Sequence, residues 1–390
     1  MLADLHAHYP MRVVSDLTPH TALQRMRQAR GRPGLREKAR ALILRIASAL
    51  ANKSSWWSGY RVTVEHMREG GVGLAMSVLY GPFEEMDLSR PYMWPPESRY
   101  FQRVRGDLQR VEDEVATHDP ALIRLVHNRP ELDRCLADGA TALVHCVEGG
   151  FQLGDRPAEI DENVAELARN GVAYVTVAHL FFRQVATNAP ALPFLSDATY
   201  NKLFPQPEGE GLTERGIAVV RAMVRNRVLI DISHMRTDAI EETFRLLDDE
   251  LDAQCEMPVV ATHAGYRFGK QEYMLDEHTV LQIKRRNGVI GLIMAQHQLN
   301  DGIRRRTRSF EESFDVIRRH IDKIAEITGS HRHVAFGTDF DGFIKPTMAG
   351  LENEADMKRL EQELRNHYGD DDAELITSQN AIRVLRQLWP

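Results

Sequence analysis

Four short segments hold the residues best equipped for chemistry: Asp4-Leu5-His6-Ala7-His8, Val147-Glu148-Gly149-Gly150, Asp231-Ile232-Ser233-His234 and Gly337-Thr338-Asp339-Phe340-Asp341-Gly342. Imidazole and carboxylate together form the ligand set of borderline dications such as Zn2+. In a strand, residues i and i+2 face the same side, so His6 and His8 present two imidazoles to one point. Two dications held close together repel, and a carboxylate between them can offer one oxygen to each. Glu148, followed by two glycines that let the backbone turn away, is the expected bridge. His234 and His263 each follow an apolar run and are the expected ligands of the second ion. Asp339 is placed to carry a proton from the attacking water to the leaving group. His179, closing another apolar run, is placed to donate to a substrate carbonyl oxygen as it gains charge.

The elements needed to position these residues are parallel strands. β-Branched, apolar runs near 1–5, 72–79, 142–147, 173–178, 227–232, 258–262, 288–294 and 333–338 alternate with amphipathic helical stretches, the pattern of a sheet wrapped by helices. Eight such strands close a (β/α)8 TIM barrel, and ligands beyond their C-terminal ends converge at its mouth. The helices expected between them include 164–169, 214–225, 237–247, 278–286 and 310–328. Residues 11–70 and 81–135 exceed a minimal barrel. They are read as helical insertions after strands 1 and 2 that overhang the mouth, the first with a basic stretch near 36–52 and then Trp56-Trp57, the second with Pro91, Pro95 and Pro96 and a charged helix near 97–117. The whole of 1–390 reads as one domain.

Length and composition agree with an enzyme of this kind. The chain has 390 residues, 43% hydrophobic and 27% charged, with a formal charge of −7; mixed charges of net negative sign argue against nucleic acid as the partner. Cys135, Cys146 and Cys255 are scattered without metal or disulfide spacing, which points to reduced thiols. No apolar run reaches the roughly 18 residues that span a bilayer. Cleaving a leader would remove His6 and His8, so the expectation is a cytoplasmic protein. His145 lies inside the third strand, pointing away from Glu148, and is expected to be a hydrogen-bonded interior residue. His127 and His320 are expected in surface or capping roles, and Asp341 in a supporting or capping one. The Arg304-Arg305-Arg306 run with Arg308 suits an anionic substrate group or, equally, a solvated helix face.

In this order the segments resemble the membrane (renal-type) dipeptidase family, peptidase family M19, among the amidohydrolase-like metal-dependent barrels. The likeness runs from Asp4-Leu5-His6 through Glu148-Gly149-Gly150, Asp231-Ile232-Ser233-His234, Thr262-His263-Ala264 and Gly337–Gly342 to a closing helix with Asn380 and Arg383-Val384-Leu385. The resemblance implies two zinc ions on His6, Glu148, His234 and His263, carbonyl polarisation by His179, proton shuttling by Asp339, and cleavage of dipeptides, often with a D-residue on the C-terminal side. It also implies a homodimer. Three positions depart from the family pattern: His8 replaces an Asp, Phe151 replaces a His, and no Arg stands near Gln271–Glu272, where the family grips the dipeptide carboxylate. Arg267, Lys270 or the Arg304–Arg308 run is the expected substitute.

These observations lead to a binuclear zinc hydrolase acting on an amide in a small-molecule substrate, foremost a dipeptide. The alternatives are an amidohydrolase for a non-dipeptide amide or N-acyl amino acid, a phosphoesterase of the polymerase-and-histidinol-phosphatase type, and a metal-binding scaffold without activity. The phosphoesterase type wants Asp-x-His where this chain has Asp339-Phe340-Asp341.

Overall fold

A computed structural model describes residues 1–13, 42, 59–85, 92–342, 344 and 346–389. The stretch expected near 36–52, the Trp56-Trp57 pair and Pro91 lie, but for Leu42, outside these residues. Nine parallel strands form one sheet: β1 Leu2–Ala7, β2 Val72–Leu79, β3 Ile123–Leu125, β4 Thr141–Glu148, β5 Tyr174–Thr176, β6 Leu229–Asp231, β7 Val259–Ala264, β8 Val289–Leu292 and β9 Val334–Phe336. Pairing of β2 with β4 closes eight of them into a barrel, as expected. β3 is the addition: it pairs with the first residues of β4, while β5 pairs with the last. Its three residues, Ile-Arg-Leu, carry no periodic signal, and its pairing depends on β4 being in place.

Strands buried on both faces need continuous apolar runs, and these have them. One face of the barrel packs against helices such as Glu214–Arg225, which buries Val219, Val220 and Met223. The other fills the interior with Leu5, Met76, Val144, Cys146, Leu229, Val260, Val289 and Ala335. Several helices start on side-chain caps that accept a backbone N–H, among them Thr213, Asp276 and Ser309. The helix expected at 164–169 extends over Pro157–Arg169, because Pro157 can open a helix where its missing N–H costs nothing.

Two strands break the two-residue alternation where the chemistry requires it. Between β1 and β2 the register runs Asp4↔Ala75 to Ala7↔Ser77, and between β7 and β8 it runs Ala261↔Ile290 to Ala264↔Leu292. In each case one extra residue is accommodated, the signature of a β-bulge, which re-aims a side chain. Leu5 thus stays in the interior cluster while His6 turns inward beside it. His263 follows the inward Val260 in the same way.

At the opposite end the helix Asn380–Leu388 plugs the barrel. Ala381, Ile382, Leu385 and Leu388 join the interior cluster. Asn380 donates to the carbonyls of His331 and Val334, and Arg383 to those of Asn287, Gly288 and Arg332, all at strand entries. The prolines of the second insertion precede the helix Ser98–Val115, whose Tyr100, Val104, Leu108 and Val111 are buried. Leu385→Ala should cost about 2–5 kcal/mol by opening a cavity in the plug. Urea unfolding should show a lower midpoint, with turnover at low temperature kept because the plug is remote from the mouth.

Candidate active site

Glu148 ends β4 at the barrel mouth, 1% exposed, with neither carboxylate oxygen hydrogen-bonded. An unpartnered buried carboxylate costs several kcal/mol unless cations surround it. Five imidazoles ring it. Oε1 lies 3.3 Å from His6 Nε2 and 3.5 Å from both His234 Nε2 and His263 Nε2. Oε2 lies 3.6 Å from His8 Nε2 and 3.3 Å from His179 Nε2. His234 Nε2 and His263 Nε2 face each other at 2.9 Å. Nitrogens around 2.0–2.1 Å from a common tetrahedral ion sit about 3.3 Å apart, so these spacings suit dications. Two sets of mutually close ligand atoms share the carboxylate, His6–His8–Glu148 and Glu148–His234–His263.

Gly149 takes φ +101, the turn expected after Glu148 and one that costs other residues dearly, and a Cβ there would also strike the Phe151 ring.

Behind these imidazoles stands a hydrogen-bond layer that fixes the tautomers of two of them, His6 and His263. Asp231 accepts from Thr176 Oγ1, from the Ser233 hydroxyl and N–H, and from Thr262 N and Oγ1. With its proton given to Asp231, the Thr262 hydroxyl can only accept from His6 Nδ1 at 3.0 Å and His263 Nδ1 at 2.9 Å. Both rings therefore carry hydrogen on Nδ1 and aim a bare Nε2 at the centre. Asp4 repeats the device: it accepts from His6 N and from Thr338 N and Oγ1, tying β1 to the end of β9. Tyr273 donates to the His263 carbonyl.

Burial alone would raise the Glu148 carboxyl, but His179 and His6 foremost among the rings outweigh it and hold it well below the usual range. Burial, with His6 and His234 beside it, drives His263 far down, and burial with His179 lowers His234, which favours the neutral ring in both. For His179 burial pulls down, yet Glu148 and Glu85 lift it to about 9. Glu85 accepts from the Phe181 N–H and the Tyr80 hydroxyl and sits 2.7 Å from His179 Nδ1. Asp339 Oδ1 is 2.9 Å from His8 Nε2 and 4.0 Å from His6 Nε2. Its N–H donates to the His6 carbonyl, and both Asp339 and His234 take positive φ, 56° and 65°. Such backbone strain concentrates at functional sites.

A small cleft opens over this cluster, lined by His8, His179, Leu180, Ala191, His234, Tyr273, His297, Gln298, Asp339 and Ile344. Seven residues read from the sequence thus meet here: His6, His8, Glu148, His179, His234, His263 and Asp339. Two do not. Arg267 donates to the carbonyls of Met274 and Glu272, and Arg304 pairs with Glu312 at 2.7 Å. Neither guanidinium lines the cleft. Asp341 accepts from the N–H groups of Arg61 and Val62, supporting the turn ahead of the helix Val64–Gly70 that Thr63 caps.

Glu85, Asp231, Tyr273 and His297 escaped the sequence reading. Asp231 carried a visible signal, since Asp231-x-Ser repeats the spacing of Asp4-x-His. His297 follows β8 with no ligand-like motif; burial pushes it down to about 4. His320 is not a surface residue: it is buried and bonded to Tyr266 N and Leu299 O.

The model of the membrane dipeptidase family (peptidase family M19) matches residues 42–389, which leaves His6 and His8 outside the matched stretch. An uncharacterized Klebsiella pneumoniae protein from the pqqA 5′ region is 26% identical over 279 residues, 71% of this chain and 93% of that one. A dipeptidase of Clonostachys rogersoniana is 21% identical over 83% of this chain and 74% of its own, and rat dipeptidase 3 is 25% identical over 84% and 58%. The crystal structure of a family M19 dipeptidase superposes with a TM-score of 0.69 at 19% identity, covering 100% of this chain and 98% of that one. A Rhodobacter sphaeroides metallopeptidase, liganded with a phosphinate mimic of the dipeptide L-Ala-D-Ala, superposes at 0.67 and 20% identity over 100% and 99%. The chain belongs to the membrane dipeptidase family, peptidase family M19.

Proposed function

We propose that this metallopeptidase hydrolyses dipeptides with two divalent ions, zinc by preference, bridged by Glu148. The observation that carries the reading is the Glu148 carboxylate, buried without a hydrogen bond and ringed by five imidazoles on separate loops and strands. His6, His8 and Glu148 would hold one ion, and Glu148, His234 and His263 the other. Bound there, the ions supply an activated water and a Lewis acid for the scissile carbonyl.

The chain's own residues do the rest. Asp339, fixed at the rim by its backbone bond to His6, takes the proton of the attacking water and returns it to the leaving nitrogen. His179 points Nε2 into the cleft and donates to the carbonyl oxygen as charge develops, with Glu85 behind it fixing orientation and charge. A C-terminal D-residue is included in the proposal on the support of the L-Ala-D-Ala mimic held by the Rhodobacter fold relative.

One observation favours a second reading, an amidohydrolase for a substrate without a free carboxylate. Among the described residues no Arg or Lys lines the cleft; its far side is Leu180, Ala191, His297, Gln298 and Ile344. Gln271, close to where the family carries its Arg, donates to the His297 carbonyl instead.

A panel of L-L and L-D dipeptides and N-acyl amino acid amides separates these readings. Dipeptide turnover that is lost on chelation, restored by Zn2+ and absent in Asp339→Asn supports the first; turnover of carboxylate-free amides alone supports the second. Thr262→Val keeps the shape but removes the hydroxyl that sets two tautomers, so zinc affinity should fall about 10–100-fold in a competitive chelator titration. Glu85→Gln should leave metal content intact and lower kcat about 10–100-fold with little change in KM. Removing that anion lowers the pKa of His179, so the basic limb of the pH–rate profile should move to lower pH.

A further inference from the structure

β4 carries a second histidine with no place in the mouth chemistry. His145 stands three residues before Glu148 on the outward face of the strand, roughly 10 Å down the barrel wall. It is 1% exposed, and neither ring nitrogen makes a hydrogen bond, contrary to the bonded interior residue expected from the sequence. Its register neighbour on β2, Ser77, also carries a buried hydroxyl without a partner. Buried polar groups are rarely left in this state unless something binds them.

Two other residues close on the same point. Glu112, on the helix Ser98–Val115, brings Oε1 to 3.8 Å from His145 Nε2 and to 3.8 Å from His127 Nε2. That separation is too long for a hydrogen bond and close to the spacing of two ligands on one ion. His127 is oriented for ligation. Glu131 Oε2 takes the His127 backbone N–H at 2.9 Å and sits 3.1 Å from Nδ1, so the ring proton belongs on Nδ1 and Nε2 is left bare. This carboxylate–histidine arrangement stands behind metal-bound histidines generally. Burial keeps His145 neutral, as a ligand requires. The side chains of Glu112 and His127 remain about one-third exposed, which gives an ion a path from solvent.

We propose that Glu112, His127 and His145 form a separate site for a single borderline dication of the Zn2+ class on the outer wall of the barrel. Three protein ligands leave one tetrahedral position for water. The ligand atoms already lie within 4.8 Å of one another, and about 0.5 Å of closure brings the 3.8 Å pairs to bonding geometry. The ion would pin the insertion helix and the 126–128 loop to β4 and satisfy His145. Its residues share nothing with the mouth, so occupancy is structural.

The test is metal stoichiometry on chelated, full-length protein reloaded with Zn2+ or Co2+. His127→Asn and Glu112→Gln are chosen because both positions are partly exposed and should fold. Each should bind one equivalent fewer than the unaltered protein while keeping its turnover. In a Glu148→Gln background, which dismantles the mouth, one equivalent should remain, and adding His127→Asn should remove it together with its tetrahedral Co2+ absorption. Equal stoichiometry and identical Co2+ spectra with and without His127 would overturn the proposal. Loss of metal only in Glu148→Gln would do the same while leaving the mouth reading intact.

Discussion

Everything at the barrel mouth depends on the single proton of the Thr262 hydroxyl. Asp231 is a buried carboxylate that can only accept, and it claims that proton. The hydroxyl oxygen is then left to receive from His6 and His263, two imidazoles far apart in the sequence whose rings lie 3.6 Å apart, both against Glu148 Oε1. If the proton turned elsewhere, both rings could place a hydrogen on Nε2, and neither would bind a cation. Asp231 is in turn held by Thr176 and Ser233, so the constraint runs from β5 through β6 to β7 and reaches β1 without a charged group being exposed. Asp4 and Thr338 repeat the arrangement across the seam between β1 and β9.

Much of this was legible in the sequence because strand ends are written locally. β-Branched runs such as 228–231 and 259–262 declare themselves without knowledge of the fold, and the residue following each run is at the mouth by topology alone. That logic reached His6, His8, Glu148, His179, His234, His263 and Asp339. It could not reach Glu85, which ends the one-turn helix Pro82–Glu85 after β2 and is selected by the position of His179 in space. Nor could it place Arg267 and Arg304. Any arginine near a mouth looks available in one dimension, and only the folded loop reveals the carbonyls of Glu272 and Met274, or the carboxylate of Glu312, that occupy them.

The bulges show a different kind of concealment. Strict alternation would send Leu5 and His6 to opposite faces, and likewise the residues around His263. The extra residue in β1 and in β7 becomes visible only when the neighbouring strand supplies a register to count against. Gly337 belongs to the same economy of space: a Cβ there would lie 1.7 Å from the Thr262 carbonyl oxygen, so the last strand can approach the hinge of the hydrogen-bond layer only without a side chain. His145 makes the complementary point. Periodicity correctly turned it away from Glu148, but which groups awaited it on the outer face was a matter of the helix packed there.

The seam of the barrel also has a meaning in time. β1 lies between β2 and β9, and Asp4 is clamped to Thr338, so β1 finds its second neighbour only after more than three hundred further residues have been made. The plug that closes the far end comes later still, at Asn380–Leu388. Such separations make closure the slow, late event of folding, since long loops must be ordered before their contacts repay the cost. His6 and His8 sit on that seam. Until that closure His6 and His8 stand apart from Glu148, His234 and His263, and the cluster at the mouth is incomplete. The cluster at the mouth is therefore a product of barrel closure, assembled only when β1 and β9 have met.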